Sequence, residues 1–283
     1  MTKTRGRENN EADGPANGLE AFAQELKAQR EAGGLTQEQL AKLMGYSPSV
    51  IAKLETCRTL PSPQHAGQAD KALRAPGTFG RMRQAMLNGA YEPWVRAFLD
   101  MEERATVLRN WEPLVVPGLL QTEGYARAMI RAGRPGDTDA AVEQLVTARM
   151  SRQAIWERQD PPPPMLFVVL GEAVLRQRVG DAKVMREQLG RLVEAAGNPR
   201  ITIQVLPFAG AAHPGLLGPL LVASFENDRD AAYLDNALDG MVTERRQEVS
   251  RVALLYEKLR TEALSPQAST EMIMKVADET WQT

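Results

Sequence analysis

Cysteine is nearly missing from this chain. Cys57 is the single one among 283 residues, so no disulfide framework can hold the chain together. A reducing compartment, the cytoplasm, is the expected setting. Histidine is almost as scarce, with His65 and His213 alone. His213 lies far along the chain from Cys57 and His65, and no spacing suits a zinc site. Long apolar runs are lacking too. Met165–Leu170 and Leu220–Ala223 fall far short of the ~20 residues that a membrane span needs. The opening MTKTRGRENNEADGPANG has no apolar core of a secretory signal. There is no Gly-rich phosphate loop, no Gly-x-Ser-x-Gly elbow and no special pairing of carboxylates. Catalysis, a cofactor, a metal and a membrane are therefore not expected. An excess of charge is also absent: 34 Lys and Arg face 36 Asp and Glu, for a net charge of −2. That excludes a chain that is basic throughout and binds nucleic acid non-specifically, but not one DNA-reading domain joined to an acidic one.

Hydrophobic residues make up 43% and charged residues 25%, as in ordinary globular proteins. The length suggests two domains. Residues 1–18 are polar and aperiodic and are expected to form a disordered tail. A helical pattern starts at Leu19 and stops at Gly33-Gly34. Helices then follow to Leu73, and Ala75-Pro76-Gly77 marks a boundary. Residues 19–75 form the first domain and 76–90 a linker helix. In the stretch 78–109, Trp94, Phe98, Met101, Ala105 and Leu108 form one helical stripe. Trp111–Val116 is a short strand candidate. Thr122 opens a helix, and a longer one covers Thr138–Gln159. After the prolines at 161–164 the grammar changes. Met165–Leu170 reads as a strand buried on both faces, and Ile201–Leu206, Leu220–Phe225 and Ala231–Leu234 read as further strands. Helices are expected over Glu172–Arg178, Asp181–Ala196 and Asp239–Leu264, with Ser269 capping a last short one. The fold class is thus an all-α N-terminal domain followed by a larger α+β domain, residues 91–283, with a small mixed sheet flanked by helices.

The informative stretch is LTQEQLAKLMGYSPSVIAKLETCRTLP, residues 35–61. Thr36 and Gln39 have capping-box spacing. Ser47 can cap the next helix, with Pro48 at its first position. Gly45 can take positive φ in the turn between them. Two short helices joined in this way make a helix-turn-helix, whose second helix enters the major groove by its N-terminus. With Ile51 and Leu54 turned inwards, Pro48, Ser49, Val50 and Lys53 are expected to face out. Ser49 could bond a base edge or phosphate, Val50 could touch a thymine methyl, and Lys53 could reach guanine or phosphate. Gln37 could bond the DNA backbone at the positive end of the first motif helix. Arg58 and Thr59, in the following loop, are phosphate candidates. A small helical bundle with ordinary caps would satisfy the same pattern. Thr36, Gln37, Leu40, Ala41, Gly45, Ser47, Ile51, Glu55, Arg58 and Pro61, however, stand where they stand in Xre or Cro/phage-repressor regulators, which this stretch resembles. It departs from them at Cys57–Leu60, where glycine is common.

The rest of the chain resembles the C-terminal domain of actinobacterial Xre-type regulators, WhiJ-like and antitoxin-like, through WEPLVVPGLLQTEGY (111–125), RMSRQAI (149–155), LGEAVLRQRVG (170–180), IQVLPFAGAAHPG (203–215) and LRTEALSPQAS (259–269). The resemblance implies a regulator that can be encoded beside a small partner protein. Arg149, Arg152 and Gln153 share a helix side and could grip an anionic ligand, a partner or Glu172, although a structural salt bridge explains them as well. Glu172 suits a helix N-terminus, and His213 sits in a loop after a strand. Cys57, at the end of the recognition helix, is a redox-switch candidate or simply buried. The overall expectation is a cytoplasmic, nucleoid-associated homodimer on a pseudopalindromic operator, with Met241–Leu264 in the dimer interface. Alternatives are an antitoxin-like protein that holds a small partner from the adjacent gene, and a repressor that senses a small molecule through a pocket near His213 and Arg149.

Overall fold

The computed structural model of the chain describes residues 15–90, 93–158, 161–208, 212–235 and 239–281. It divides into two units, Met1–Pro93 and Trp94–Thr283.

The described residues of the first unit form five helices: α1 (Pro15–Ala32), α2 (Gln37–Met44), α3 (Pro48–Glu55), α4 (Pro63–Ala72) and α5 (Thr78–Ala90). Helix α1 starts four residues earlier than Leu19, so 15–18 are not tail; the remaining expected tail, 1–14, lies outside the described residues. Phe22, Leu26, Leu40, Met44, Ile51, Leu54 and Phe79 pack into one core. Burial of each such side chain is worth about 1.5–3 kcal/mol. Phe79 lies edge-on to Phe22 at 5.3 Å between ring centroids. Helix α5, expected as a linker, is therefore an integral fifth helix, and Ala75–Gly77 is a turn within the unit.

Helices α1 to α4 all end in the same way. The residues just past them, Gly34, Gly45, Cys57 and Arg74, have φ of 66°, 75°, 57° and 52°. In each case the N–H of the following residue reaches back to a carbonyl five positions earlier: Leu35 to Arg30, Tyr46 to Ala41, Arg58 to Lys53 and Ala75 to Asp70, at 2.8–3.0 Å. This Schellman closure satisfies orphan carbonyls and turns the chain sharply, so short helices can pack at steep angles. Two of the four positions are glycine, which takes positive φ without cost. Cys57 and Arg74 adopt it against the preference of L residues.

The second unit contains α6 (Pro93–Arg104), β1 (Val107–Glu112), α7 (Glu123–Gly133), α8 (Asp139–Ser151), β2 (Met165–Gly171), α9 (Glu172–Arg176), α10 (Ala182–Ala196), β3 (Ile201–Leu206), β4 (Leu220–Ser224), β5 (Ala231–Asp235), β6 (Gly240–Thr243), α11 (Arg246–Glu262) and α12 (Pro266–Thr280). One mixed sheet runs in the order β3-β2-β1-β4-β5-β6. β1, β2 and β3 are parallel, and the remaining pairings are antiparallel. One face packs Leu108, Leu166, Val168 and Ile203 against Met101, Tyr125, Met185, Leu189 and Ile273 from α6, α7, α10 and α12. The other packs Trp111, Val169, Val222 and Ala232 against Val249, Val252, Tyr256 and Leu259 of α11. The α+β architecture is as the sequence indicated.

Several boundaries differ from expectation. Helix α6 ends at Arg104 and the strand starts at Val107, four residues before Trp111. The stripe from Trp94 to Leu108 crosses that junction: Leu108 keeps helical spacing from Ala105 but faces the core from a strand. Met241 and Val242 lie in edge strand β6, so the helix expected from Asp239 starts at Arg246. The expected helix to Gln159 passes into 3-10 turns at Arg152. The last helix is capped by Ser265, not Ser269. Ser269 is fully buried, and its Oγ accepts from the Val205 N–H at 2.9 Å.

Candidate nucleic-acid interface

The motif assembles as the spacing demands. Thr36 Oγ1 accepts from the Gln39 N–H at 3.2 Å, and Gln39 Oε1 accepts from the Thr36 N–H at 2.8 Å. This reciprocal box satisfies orphan donors and fixes where α2 starts. Leu40, Ala41 and Met44 turn inwards. Gly45 makes the turn, and α3 starts with Pro48 behind Ser47. Ser47 forms no side-chain cap; its Oγ lies 2.9 Å from Ser49 Oγ. Ser47, Pro48, Ser49, Lys53 and Arg58 are exposed. They form the solvent side of the helix start and of the loop behind it.

Two nominated residues do not belong to that side. Val50 is 7% exposed and packs in the core. Positions 50, 51 and 54 share one side of α3, so the helical phase that buries Leu54 also buries Val50. Thr59 is 5% exposed, because the turn at Cys57 directs the chain back onto the unit. Both are buried, outside the exposed row at the start of α3. Gln37 is only partly exposed, and its Nε2 donates to Glu55 Oε2 at 2.8 Å.

That bond belongs to an ionic group that the spacing did not reveal. Arg30 donates from Nε and Nη2 to the two oxygens of Glu55, at 2.5 and 3.0 Å, and from Nη1 to the Leu35 carbonyl at 2.9 Å. The Glu55 side chain is 3% exposed and that of Arg30 10%. Burial alone would raise the Glu55 carboxyl, but the bonds from Arg30 and Gln37 outweigh it and hold the group below its ordinary value. The Arg30 guanidinium is correspondingly raised, chiefly by its bond to Glu55. The pair ties α1 to the end of α3, and Gln37 adds the start of α2. The sequence signal was Glu55 on the inward side of α3, twenty-five residues from the nearest suitable arginine. Cys57 is half-buried, and burial, with Glu20 adding, pushes its thiol up. This opposes the thiolate that redox sensing needs.

In the second unit the other nominated residues separate. Arg149 and Arg152 both lie against Gly118, in a 3-10 turn after β1. Arg149 Nη1 donates to Gln121 Oε1 at 3.0 Å. Arg152 makes a forked bond to Glu102, at 2.8 and 2.6 Å, and stacks over Phe98. Gln153 Nε2 donates to the carbonyls of Gly118 and Gln121. Glu172 is not their partner: it pairs with Arg176 at 2.7 Å and accepts from the Phe208 N–H at 2.9 Å. His213 stands edge-on to Trp111 at 5.6 Å, and its buried Nδ1 has no hydrogen-bond partner among the described residues.

The group near Gly118 includes a residue that the sequence did not flag. Glu112 ends β1, and Asn110 Nδ2 donates to it at 3.4 Å. Burial pushes its carboxyl up to about 8. The Asn110 bond and Arg149 act against this, and the charge of Asp235 adds to it. A single glutamate after a tryptophan carries no periodic signal, so only the fold reveals its setting. No metal-holding group of three or more His, Cys, Asp or Glu occurs among the described residues, and no helix among them is long and apolar enough to cross a membrane.

Comparison with known proteins agrees with this division. Residues 21–78 match a helix-turn-helix domain, which points to DNA as partner and to transcription regulation. No curated protein and no solved structure matches the chain. Residues 95–275 match the domain of unknown function DUF5753, and with the larger part of its length covered the chain belongs to the DUF5753 family.

Proposed function

We propose that the protein is a sequence-specific transcription regulator that reads the major groove with the start of α3. The observation that carries this reading is the exposed row Ser47, Pro48, Ser49 and Lys53 on a helix whose opposite side is locked into the core. In this reading Ser49 and Lys53 contact base edges. Ser47, Arg58 and the N-terminus of α2 beside Gln37 hold phosphates and so set the register. One such unit covers a short half-site. A homodimer on a pseudopalindrome, with half-sites ~34 Å apart, is the arrangement that gives adequate specificity. The resemblance to Xre-type and WhiJ-like, antitoxin-like regulators supports this assignment and suggests autoregulation beside a small partner protein.

Fluorescence anisotropy at fixed physiological salt, with DNA from upstream of the protein's own gene and a scrambled duplex, tests the reading. A clear preference for the upstream DNA, reduced in Lys53→Ala and Ser49→Ala, supports it. Equal affinity of both variants and wild type for that DNA would show that the recognition face has been misassigned.

A second reading concerns the DUF5753 unit, which we take to be the sensor that modulates DNA binding. The gathering of charged and hydroxyl side chains at the carboxyl end of β1 favours this over a purely structural role. The group centres on Arg149, not on His213: β1 directs Glu112 and Asn110 to one sheet face, while Trp111, against which His213 stacks, belongs to the other.

A further inference from the structure

β3 is an outer strand of the sheet, with β2 on one side of it. Hydrogen bonds fix which of its backbone groups face outwards. The Val205 N–H donates to Ser269 Oγ at 2.9 Å, and the Val205 C=O accepts from the Leu264 N–H at 2.9 Å. Both partners lie where α11 passes into α12, away from β2. The Arg200 C=O, in contrast, accepts from the Leu166 N–H of β2 at 2.8 Å. In a parallel strand the direction alternates from one residue to the next. Ile201 and Ile203 therefore turn their N–H and C=O outwards, as Val205 does. The Ile201 N–H is used by the Asn198 C=O at 2.9 Å. The Ile201 C=O and both groups of Ile203 remain, and they have no hydrogen-bond partner among the described residues.

This part of the edge opens on a cavity of about 370 Å³, which Ile201, Thr202 and Ile203 line. Asn198 and Pro199, just after α10, close one end of it, and Pro266, Gln267 and Thr270 of α12 close the other. Among the described residues none that lines it is charged, although charged residues make up 25% of the chain. Its occupant is therefore uncharged. Ile203 is 2% exposed. Buried backbone groups almost always have partners, so water or a ligand must supply them here. Sheet edges are commonly blunted by lysine, proline or a bulge. Ile201–Gln204 has none of these: it reads Ile-Thr-Ile-Gln and pairs with β2 residue for residue. The chain covers the edge at Val205 and leaves it bare at Ile203.

We propose that this cavity receives an extended, uncharged segment of a partner protein, which adds to the edge of β3 as a short antiparallel strand. The free groups match three residues. The first exchanges both of its backbone bonds with Ile203, and the N–H of the third donates to the Ile201 C=O. The N–H of the second points away. At one end Val205 is already bonded, and at the other Asn198 holds the Ile201 N–H, so the added strand is short. Its first and third side chains stand beside Ile203 and Ile201, on the side of α10 and α12. A second copy of the chain fits less well. Pairing Ile203 with itself sets the Ile201 C=O against the Val205 N–H, which Ser269 holds. Pairing Ile203 with Ile201 sets the Ile203 C=O against an N–H that Asn198 holds. Either register leaves a carbonyl without a donor. The site belongs to the DUF5753 unit and stands without the DNA-binding reading.

The test is a heteronuclear NMR titration of the full chain at pH 7 with the blocked tripeptide Ac-Val-Thr-Val-NH2. The expected result is a saturable shift of the Ile203 amide with slower exchange against solvent, and no comparable slowing at Val205. N-methylation of the first valine removes the bond to the Ile203 C=O and should weaken binding at least ~10-fold. N-methylation of the threonine, whose N–H points away, should leave binding nearly unchanged. No shift at Ile203, or equal loss from both methylations, overturns the proposal. Slowed exchange of Ile203 that grows with protein concentration in the absence of peptide assigns the edge to a second copy and overturns it as well.

Discussion

Acidification below pH 6.5 is expected to loosen the N-terminal unit through His65. This residue is 5% exposed and occupies the third helical position of α4, where its Nδ1 accepts from the Ser62 N–H at 3.1 Å while Ser62 Oγ accepts from the His65 N–H at 2.9 Å. Its ring stacks edge-on with Tyr46 at 4.7 Å. Protonating Nδ1 destroys the cap and places a charge in the core. Burial, with Arg83 nearby, lowers the group from 6.5 to about 4. Because the folded value is depressed, the stabilisation is complete above pH 6.5, falls as pH drops through the interval, and is gone below pH 4. The unfolded chain binds the extra proton there, so the slope is ~1.4 kcal/mol per pH unit and the whole loss about 3 kcal/mol. Hydrogen exchange of the α4 amides in the full chain, between pH 7 and 4 and corrected for intrinsic rates, measures it. His65→Gln keeps a capping-box side chain at the same position and removes the titration. The difference between the two proteins isolates His65 from carboxylates common to both. Equal pH slopes in both would refute the reasoning.

Other consequences follow from the same geometry. Cys57→Gly should stabilise the unit by about 1 kcal/mol, since the left-handed conformation at φ 57° costs an L residue ~1–2 kcal/mol and the lost half-buried thiol returns part of that; urea unfolding measures it, and destabilisation would contradict the strain argument. Glu55→Ala should cost about 3–5 kcal/mol by leaving Arg30 buried without its partner, whereas a cost under ~1 kcal/mol would show that the pair is solvated. Val50→Ala should lower the stability of the unit by about 2 kcal/mol and leave operator preference intact when folded. Lys53→Ala should do the reverse, costing about 1–3 kcal/mol of specific binding with unchanged unfolding. Gly215→Ala places a Cβ 2.5 Å from the Trp111 ring and should destabilise the second unit by about 1–3 kcal/mol, followed by tryptophan fluorescence during unfolding.

The legible parts of the fold were those fixed by local chemistry. The Thr36 box, the Gly45 turn and Pro48 at the start of α3 are all decided within a few residues, and the structure places each as expected. The strands at Met165 and Ile201 were legible because apolar, β-branched runs have no good alternative in a sheet covered on both faces. Errors arose where one periodicity imitates another. Ala105 and Leu108 keep helical spacing across a helix–strand junction. Met241 and Val242 precede a long helix and read as its first turn, although an edge strand claims them. Val50 failed for a different reason: it stands one turn before Leu54, so the helical phase that turns Leu54 inwards buries Val50 as well. Arg30–Glu55 and Glu112 were out of reach altogether, because distant segments create them.

The two buried carboxylates differ in a way that bears on function. Glu55 is bonded by a guanidinium and an amide, both from helices that it joins, and its charge is held below the ordinary value. Every oxygen is used for the packing of the unit, so nothing is left for a ligand. Such a group fixes relative orientation, which is what a recognition helix requires if Ser49 and Lys53 are to meet base edges in register. Glu112 has the opposite character. Its bond from Asn110 is long, at 3.4 Å, and its charge is disfavoured. A carboxyl kept uncharged at neutral pH adds nothing to packing that a glutamine would not supply. Packing therefore does not require an acid at the carboxyl end of β1.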